Sequence, residues 1–181
     1  MRNILVAVGS GSIGGNTDRL TDSFIRGAID AGHVARKVFL GAGDLQGCRG
    51  CGACQIGEGC VIQDIMQTAY PLFAQCDTLV LASPLYFWTL SSQIKAFFDR
   101  LYAVSRNDIY PPKDTLLLMT AGDNSKNTFE LASNYYRFIT AALGWRDVGN
   151  YLAGGCGGEP GQHRIDAQHL WNAYQLGASL R

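Results

Sequence analysis

Cys48, Cys51, Cys54 and Cys60 stand at the spacing C-x2-C-x2-C-x5-C. Thiols three residues apart on a tight loop can turn several sulfurs toward one centre, and four thiolates suit a [4Fe–4S] cluster. A tetrahedral zinc takes the same donors, although three cysteines packed this tightly fit a cuboidal cluster better. A loop that holds no metal, its thiols free or paired with one another, is the competing reading. Cys76 closes a helix-like stretch and reads as a core or boundary residue. Cys156, in the glycine run 154–158, is given no role. His33, His163 and His169 are scattered and form no ligand pair. Nothing in the chain suggests a catalytic triad, so no side-chain acid, base or nucleophile is assigned.

A second constellation follows the apolar run Ile4–Val8 and reads Gly9-Ser10-Gly11-Ser12-Ile13-Gly14-Gly15-Asn16-Thr17. Glycines admit positive φ and close backbone approach. A helix starting there aims its free N–H groups and positive dipole end into the loop. Ser10, Ser12 and Thr17 add hydroxyls, and Asn16, after Gly15, adds an amide. The combination suits a phosphate monoester. Gly9, Gly11 and Gly14 also fit G-x-G-x-x-G, but a dinucleotide site needs an acid closing the second strand. The sequence there reads Val38-Phe39-Leu40-Gly41. No Lys-Ser or Lys-Thr closes the motif, which excludes a P-loop.

Two further segments could meet a flat ring. Ser83-Pro84-Leu85-Tyr86-Phe87-Trp88-Thr89 places three adjacent aromatics behind a stiffening proline. It offers backbone N–H groups and aromatic faces to a planar ligand, or an apolar patch to a second subunit. Thr120-Ala121-Gly122-Asp123-Asn124 is small and polar and suits the ring's edge.

These segments need a scaffold, and the periodicities supply one. Strand-like runs at Ile4–Val8, Val34–Leu40, Thr78–Ala82, Thr115–Thr120 and Arg146–Leu152 alternate with helical runs. The helical runs are Asn16–Ala31, Gln63–Gln75, Ser91–Val104, Phe129–Leu143 and Ile165–Leu176. Such alternation predicts an α/β fold, a parallel sheet with helices on both faces. Ligands of such sheets sit at the carboxyl ends of the strands, near the point where strand order reverses. The irregular stretch Gly41–Val61 exceeds ordinary connection lengths, which marks it as functional.

The composition narrows the class. The 181 residues suit one domain spanning 1–181, without repeat or linker. An apolar share of 47% builds a core. Lys plus Arg total 15, as do Asp plus Glu, so no charge excess draws nucleic acid or an anionic membrane. The apolar stretch after Met1-Arg2-Asn3 is too short for a signal peptide, and no run spans a bilayer. The cytoplasm is the default expectation.

Taken together the segments resemble the NAD(P)H-dependent FMN reductase and iron-sulfur flavoprotein group of the flavodoxin-like superfamily. The group's first loop reads Gly-Ser-Pro-Arg, two residues, then Gly-Asn-Thr or Gly-Asn-Ser. Ser10, Gly15, Asn16 and Thr17 match, while Gly11 and Ser12 replace Pro and Arg. That departure removes a cation from beside the phosphate. The group's second block, Ser-Pro-x-Tyr followed by Lys-x-Phe-x-Asp-Arg, is met by Ser83–Tyr86 and by Lys95-Ala96-Phe97-Phe98-Asp99-Arg100. The cysteine spacing resembles the compact motif of iron-sulfur flavoproteins. The resemblance implies a flavodoxin-like three-layer sandwich with a five-stranded sheet in the order 2-1-3-4-5. It implies FMN held by the first loop, with residues 84–88 along the isoalloxazine. It further implies NAD(P)H as donor, a small acceptor such as a quinone or free flavin or else a redox protein, and a homodimer or homotetramer. Lys95, Asp99 and Arg100 are expected to be structural, the first two as a solvated i,i+4 pair. An electron carrier with FMN and a cluster is the alternative, and a non-enzymatic FMN-binding protein the second alternative.

Overall fold

Apolar side chains alternate along the strands and fall on two faces, each covered by helices. The computed structural model describes residues 1–57, 59–105, 107–158, 162 and 164–181. Its strands are β1 (Asn3–Val8), β2 (Val34–Phe39), β3 (Thr78–Pro84), β4 (Asp114–Thr120) and β5 (Arg146–Ala153). All neighbours pair in parallel, in the order β2-β1-β3-β4-β5. β1, β3 and β4 are central and buried on both faces, as their continuous apolar runs require.

One face carries Leu5, Ala7, Leu79, Leu81, Leu117 and Met119. It packs against α3 (Met66–Gln75), α4 (Ser92–Arg100) and α5 (Glu130–Ala142), whose buried residues join the same core. The other carries Ile4, Val6, Val8, Val80, Leu116 and Leu118 beneath α1 (Asn16–Asp30) and α6 (Ala167–Ala178). The flavodoxin-like three-layer sandwich is therefore present. α1 and α6 approach closely because each has a glycine at the crossing. A Cβ on Gly27 would stand 2.0 Å from the Tyr174 carbonyl oxygen, and one on Gly177 would stand 2.1 Å from that of Phe24. Among the described residues no helix is long and apolar enough to cross a membrane.

Several boundaries differ from the sequence reading. The irregular stretch contains a one-turn helix, α2 (Ala53–Ile56). β3 runs two residues further, because Ser83 and Pro84 still pair with Met119 and Thr120. Proline closes the strand, where its missing N–H costs nothing. The helix expected over 91–104 ends at Arg100 and tightens into a 3₁₀ turn, Leu101–Val104. The helix expected from Gln63 begins at Met66, whose N–H is accepted by the Asp64 carboxylate at 3.0 Å. The last helix starts at Ala167, with Asp166 capping the N–H of Gln168 at 2.7 Å.

The register aligns the carboxyl ends of four strands. Val8 lies opposite Ala82, Pro84 opposite Thr120, and Thr120 opposite Ala153. The loops after β1, β3, β4 and β5 therefore leave one edge of the sheet together. The reversal of strand order, between β1 and β3, lies in their midst.

Candidate functional site

The loop from Gly9 to Gly15 turns the chain from β1 into α1. Gly9 is required by packing, since a Cβ there would stand 2.4 Å from Ser91 Oγ and 2.5 Å from Ile94 Cγ1. Gly15 precedes the helix in extended geometry, and a Cβ on it would meet Ser12 at 2.9 Å. Ser10 is buried, and its Oγ accepts the Ser12 N–H at 3.1 Å. The backbone N–H groups of α1's first turn have no helical acceptor and remain available to an anion.

Thr17 and Thr120, on different elements, share a hydrogen bond between hydroxyls at 2.7 Å. Two hydroxyls joined by one bond keep one further proton to donate. Asn16 is more occupied than expected. Its Nδ2 donates to the Cys156 carbonyl at 2.7 Å, and its Oδ1 accepts the Ile165 N–H at 3.0 Å. The side chain thus pins the start and end of the glycine-rich segment after β5 onto the first residue of α1.

Asp18 was missed in the sequence, although an acid in a helix's first turn is a familiar cap. It is buried, and it accepts the Gly14 N–H at 2.8 Å. Lys37 pairs with it at 2.8 Å and with Asp22 at 2.5 Å. Burial alone would lower the Lys37 ammonium, but the two carboxylates outweigh it and hold its pKa above the ordinary lysine value.

β3 leads into a tight turn in which Tyr86 and Thr89 exchange two backbone hydrogen bonds of 3.1 Å. Phe87 and Trp88 occupy its centre with φ of 47° and 60°. Both central residues at positive φ make this a type I′-like turn, usually given to Asn and Gly. Aromatic side chains there are strained, by about 1–2 kcal/mol each. The turn projects Phe87 outward at 91% exposure, and Trp88 is also exposed. The turn is anchored at its base. Ser83 Oγ accepts the Ser91 N–H at 2.9 Å, and the Leu85 N–H donates to the Thr120 carbonyl at 2.8 Å.

These segments enclose one cleft of about 260 Å³. Ser10, Ser12, Asn16 and Thr17 line one end, Pro84, Leu85 and Tyr86 a side, and Thr120, Ala121 and Gly122 the floor. An adjoining cleft of about 450 Å³ shares Leu85, Ala121 and Gly122 and adds Phe87, Trp88, Asp123 and Thr128. Gly15 shapes the loop without lining either. Cys156, Gly157, Gly158 and Gln162 also line the first cleft and escaped the sequence reading. The signal was the glycine run itself. Gly157 lies against Gly122, where a Cβ would meet the Gly122 carbonyl at 3.3 Å. Hydroxyl donors, a helix N-terminus and a narrow slot floored by glycine fit a flavin mononucleotide. The Asp123 carboxyl, accepting from Ser125 and Thr128, is held below the usual carboxylate range.

The cysteine loop has a different foundation. Arg100 Nη1 donates to the Gln46 carbonyl at 2.8 Å and to Asp64 Oδ2 at 2.7 Å. Its Nη2 donates to Asp64 Oδ1 at 3.1 Å and to the Ile62 carbonyl at 3.3 Å. Gln67 Nε2 donates to the carbonyls of Cys60, at 3.1 Å, and Ile62, at 2.7 Å. One buried ion pair thus ties both stems of the loop together. Lys95 and Asp99 form the expected exposed pair at 2.6 Å.

Cys48 and Cys51 are exposed, Cys54 and Cys60 half-buried, and all four are free. Burial would raise the Cys60 thiol, but the Ile62 N–H, Tyr70 and Arg100 outweigh it and lower its pKa. Gly41, at the loop's start, lies against the cradle, since a Cβ on it would fall 1.8 Å from the Ser10 carbonyl oxygen. Cys48, Cys51, Cys54 and Cys60 line neither cleft. Among the described residues no three His, Cys, Asp or Glu side chains are placed to hold one metal. The four thiols do not, in this arrangement, fit a [4Fe–4S] cluster. His163 lies outside the described residues.

Comparison with known proteins follows the same lines. A family model described as NADPH-dependent FMN reductase matches residues 2–155. An iron-sulfur flavoprotein of Archaeoglobus fulgidus is 28% identical over 167 residues, covering 92% of this chain and 73% of that protein. A Bacillus subtilis protein described as a candidate NAD(P)H-dependent FMN-containing oxidoreductase is 28% identical, over 96% of this chain and 95% of its own. An NAD(P)H:quinone oxidoreductase from Methanothermobacter marburgensis superposes with a TM-score of 0.78 at 15% identity, covering 99% of each chain. That last likeness is one of fold.

Proposed function

The chain belongs to the NADPH-dependent FMN reductase family, and from that premise we propose that it passes electrons from NAD(P)H to a small planar acceptor, a quinone or a free flavin. One observation carries the reading. A single cleft runs from the hydroxyl cradle of Ser10, Ser12 and Thr17 to the wall at Pro84–Tyr86 and the floor at Thr120–Gly122. The cradle would hold the FMN phosphate, and the wall and floor would flank the isoalloxazine. Bound there, FMN would supply two-electron hydride chemistry between nicotinamide and acceptor. The chain's residues orient the ring and shape access to it. Leu85, Phe87 and Trp88 bound the adjoining cleft, which would receive donor and acceptor in turn. Asp123 at its rim stays ionised at neutral pH, so it accepts hydrogen bonds and is no proton donor.

The same reading takes residues 1–181 as one FMN-binding domain in the cytoplasm. It also takes the chain as a homodimer or homotetramer, because Phe87, Trp88, Leu131 and Phe138 leave apolar surface exposed. Steady-state oxidation of NADH and NADPH by FMN-loaded protein, with a quinone and with free flavin, tests the reading. Turnover that requires bound FMN supports it. FMN-loaded protein inert toward both donors with every acceptor is a binding protein only.

A second reading is favoured by the cysteine spacing and the name of the Archaeoglobus relative. It adds a [4Fe–4S] cluster on Cys48, Cys51, Cys54 and Cys60 and makes the chain a single-electron carrier. The thiols are not gathered for it, so no electron step is routed through them. Iron and sulfide assays of anaerobically purified protein decide. Absence of iron with all four thiols titratable removes this reading.

A further inference from the structure

Among the described residues, no cationic side chain, Lys, Arg or His, lines the cleft where a phosphate dianion would sit. At α1's first turn the buried Asp18 carboxylate accepts the Gly14 N–H, and the ammonium of Lys37 is taken up by Asp18 and Asp22. A helix N-terminus and a few hydroxyls hold a dianion more weakly than they would with a cation alongside.

The segment after β5 carries a cation beside two residues of the lining, from the other end of the chain. Its two ends are fixed to α1, with the Cys156 carbonyl and the Ile165 N–H both bonded to the Asn16 side chain. Arg164 adjoins the second anchor. Its stem runs beside Gly158, a lining residue, where a Cβ would stand 3.4 Å from Arg164 Cδ. Its Nη2 donates to Oε1 of Gln162, another lining residue. Among the described residues no carboxylate pairs with Arg164. A guanidinium has five N–H donors, and Gln162 takes one.

Resting on the flavin-binding reading above, we propose that Arg164 is the cation that recognises the phosphate of the flavin mononucleotide. Gln162 holds its guanidinium beside the lining, and Asn16 fixes the segment that carries it. The ligand selected is a phosphate monoester, and the discrimination at stake is FMN against riboflavin. A residue acting through the phosphate weakens FMN and spares riboflavin, and recovery by lysine together with a salt dependence separates a direct charge contact from support of the loop.

Apoprotein of the full chain is titrated with FMN and with riboflavin by quenching of flavin fluorescence, for wild type, Arg164→Gln and Arg164→Lys. Arg164→Gln should weaken FMN by about tenfold or more, the range of a hydrogen bond to a charged group. Riboflavin should be unchanged within about twofold, and Arg164→Lys should restore most of the FMN affinity. Raising salt should weaken FMN in wild type more than in Arg164→Gln. Equal losses for both flavins, or no loss for FMN, overturn the assignment while leaving FMN as the ligand. Wild-type protein that binds riboflavin as tightly as FMN overturns the phosphate cradle as well.

Discussion

Arg100 and Asp64 face each other through two hydrogen bonds at 1% and 0% side-chain exposure. Burial by itself would raise the Asp64 carboxyl. The Arg100 guanidinium and the N–H groups of Gln46 and Met66 outweigh burial and hold it below the usual carboxylate range. Because the folded value lies below the unfolded one, near 4, the contribution is full above about pH 4 and is lost as pH falls through the folded value. Removing one member of a buried pair leaves the other uncompensated, at a cost of about 3–5 kcal/mol. Asp64→Asn should therefore unfold at much lower urea than wild type at pH 7, and the gap should narrow as pH drops below about 4. A variant within about 1 kcal/mol of wild type at pH 7 would show that the clamp adds no stability. Lys95 and Asp99, one turn apart, are a pair the sequence already displays. The Asp64 partner of Arg100 is a long-range contact, which no local spacing reveals.

At the scale of elements, the strands were legible because central parallel strands must be apolar on both faces. Ile4–Val8 and Thr115–Thr120 are each within a residue of their observed limits. Helix ends were less legible, since tertiary partners set them. Asp64 serves Arg100 and delays α3 to Met66, and Asp166 caps α6 two residues late. The turn after β3 was hidden for another reason. Its type I′-like geometry normally announces itself by Asn-Gly, and here two aromatics take the positive φ. Strain kept at such a place has a use when it displays side chains that nothing else could present. Trp88→Gly should relieve it, raising stability by about 1 kcal/mol in urea unfolding. The same variant should lower kcat/KM for a quinone acceptor, because it strips one wall of the larger cleft. A variant that is less stable, with unchanged kcat/KM, would make the aromatic pair a packing element.

Across the whole molecule, function depends on one edge of the sheet. The parallel register brings Pro84, Thr120 and Ala153 level and ends β1 at Val8, opposite Ala82, so four loops distant in sequence share two adjoining clefts. Three of those loops were legible from residue type, as hydroxyls with glycine, aromatics behind proline, and a small polar turn. The fourth, after β5, was not, since a glycine run shows no chemistry until Asn16 folds it onto α1. The cysteine loop leaves the same edge, yet Cys48, Cys51, Cys54 and Cys60 line neither cleft, and its stems rest on a separate ion pair. The central claim is that this edge is built for a flavin with a terminal monophosphate. Calorimetric titration of the apoprotein with FMN and with FAD tests it most directly. The account predicts saturation at one FMN per chain and at least about tenfold weaker FAD, whose pyrophosphate offers the cradle less charge at a single centre. FAD binding equal to or tighter than FMN would contradict it.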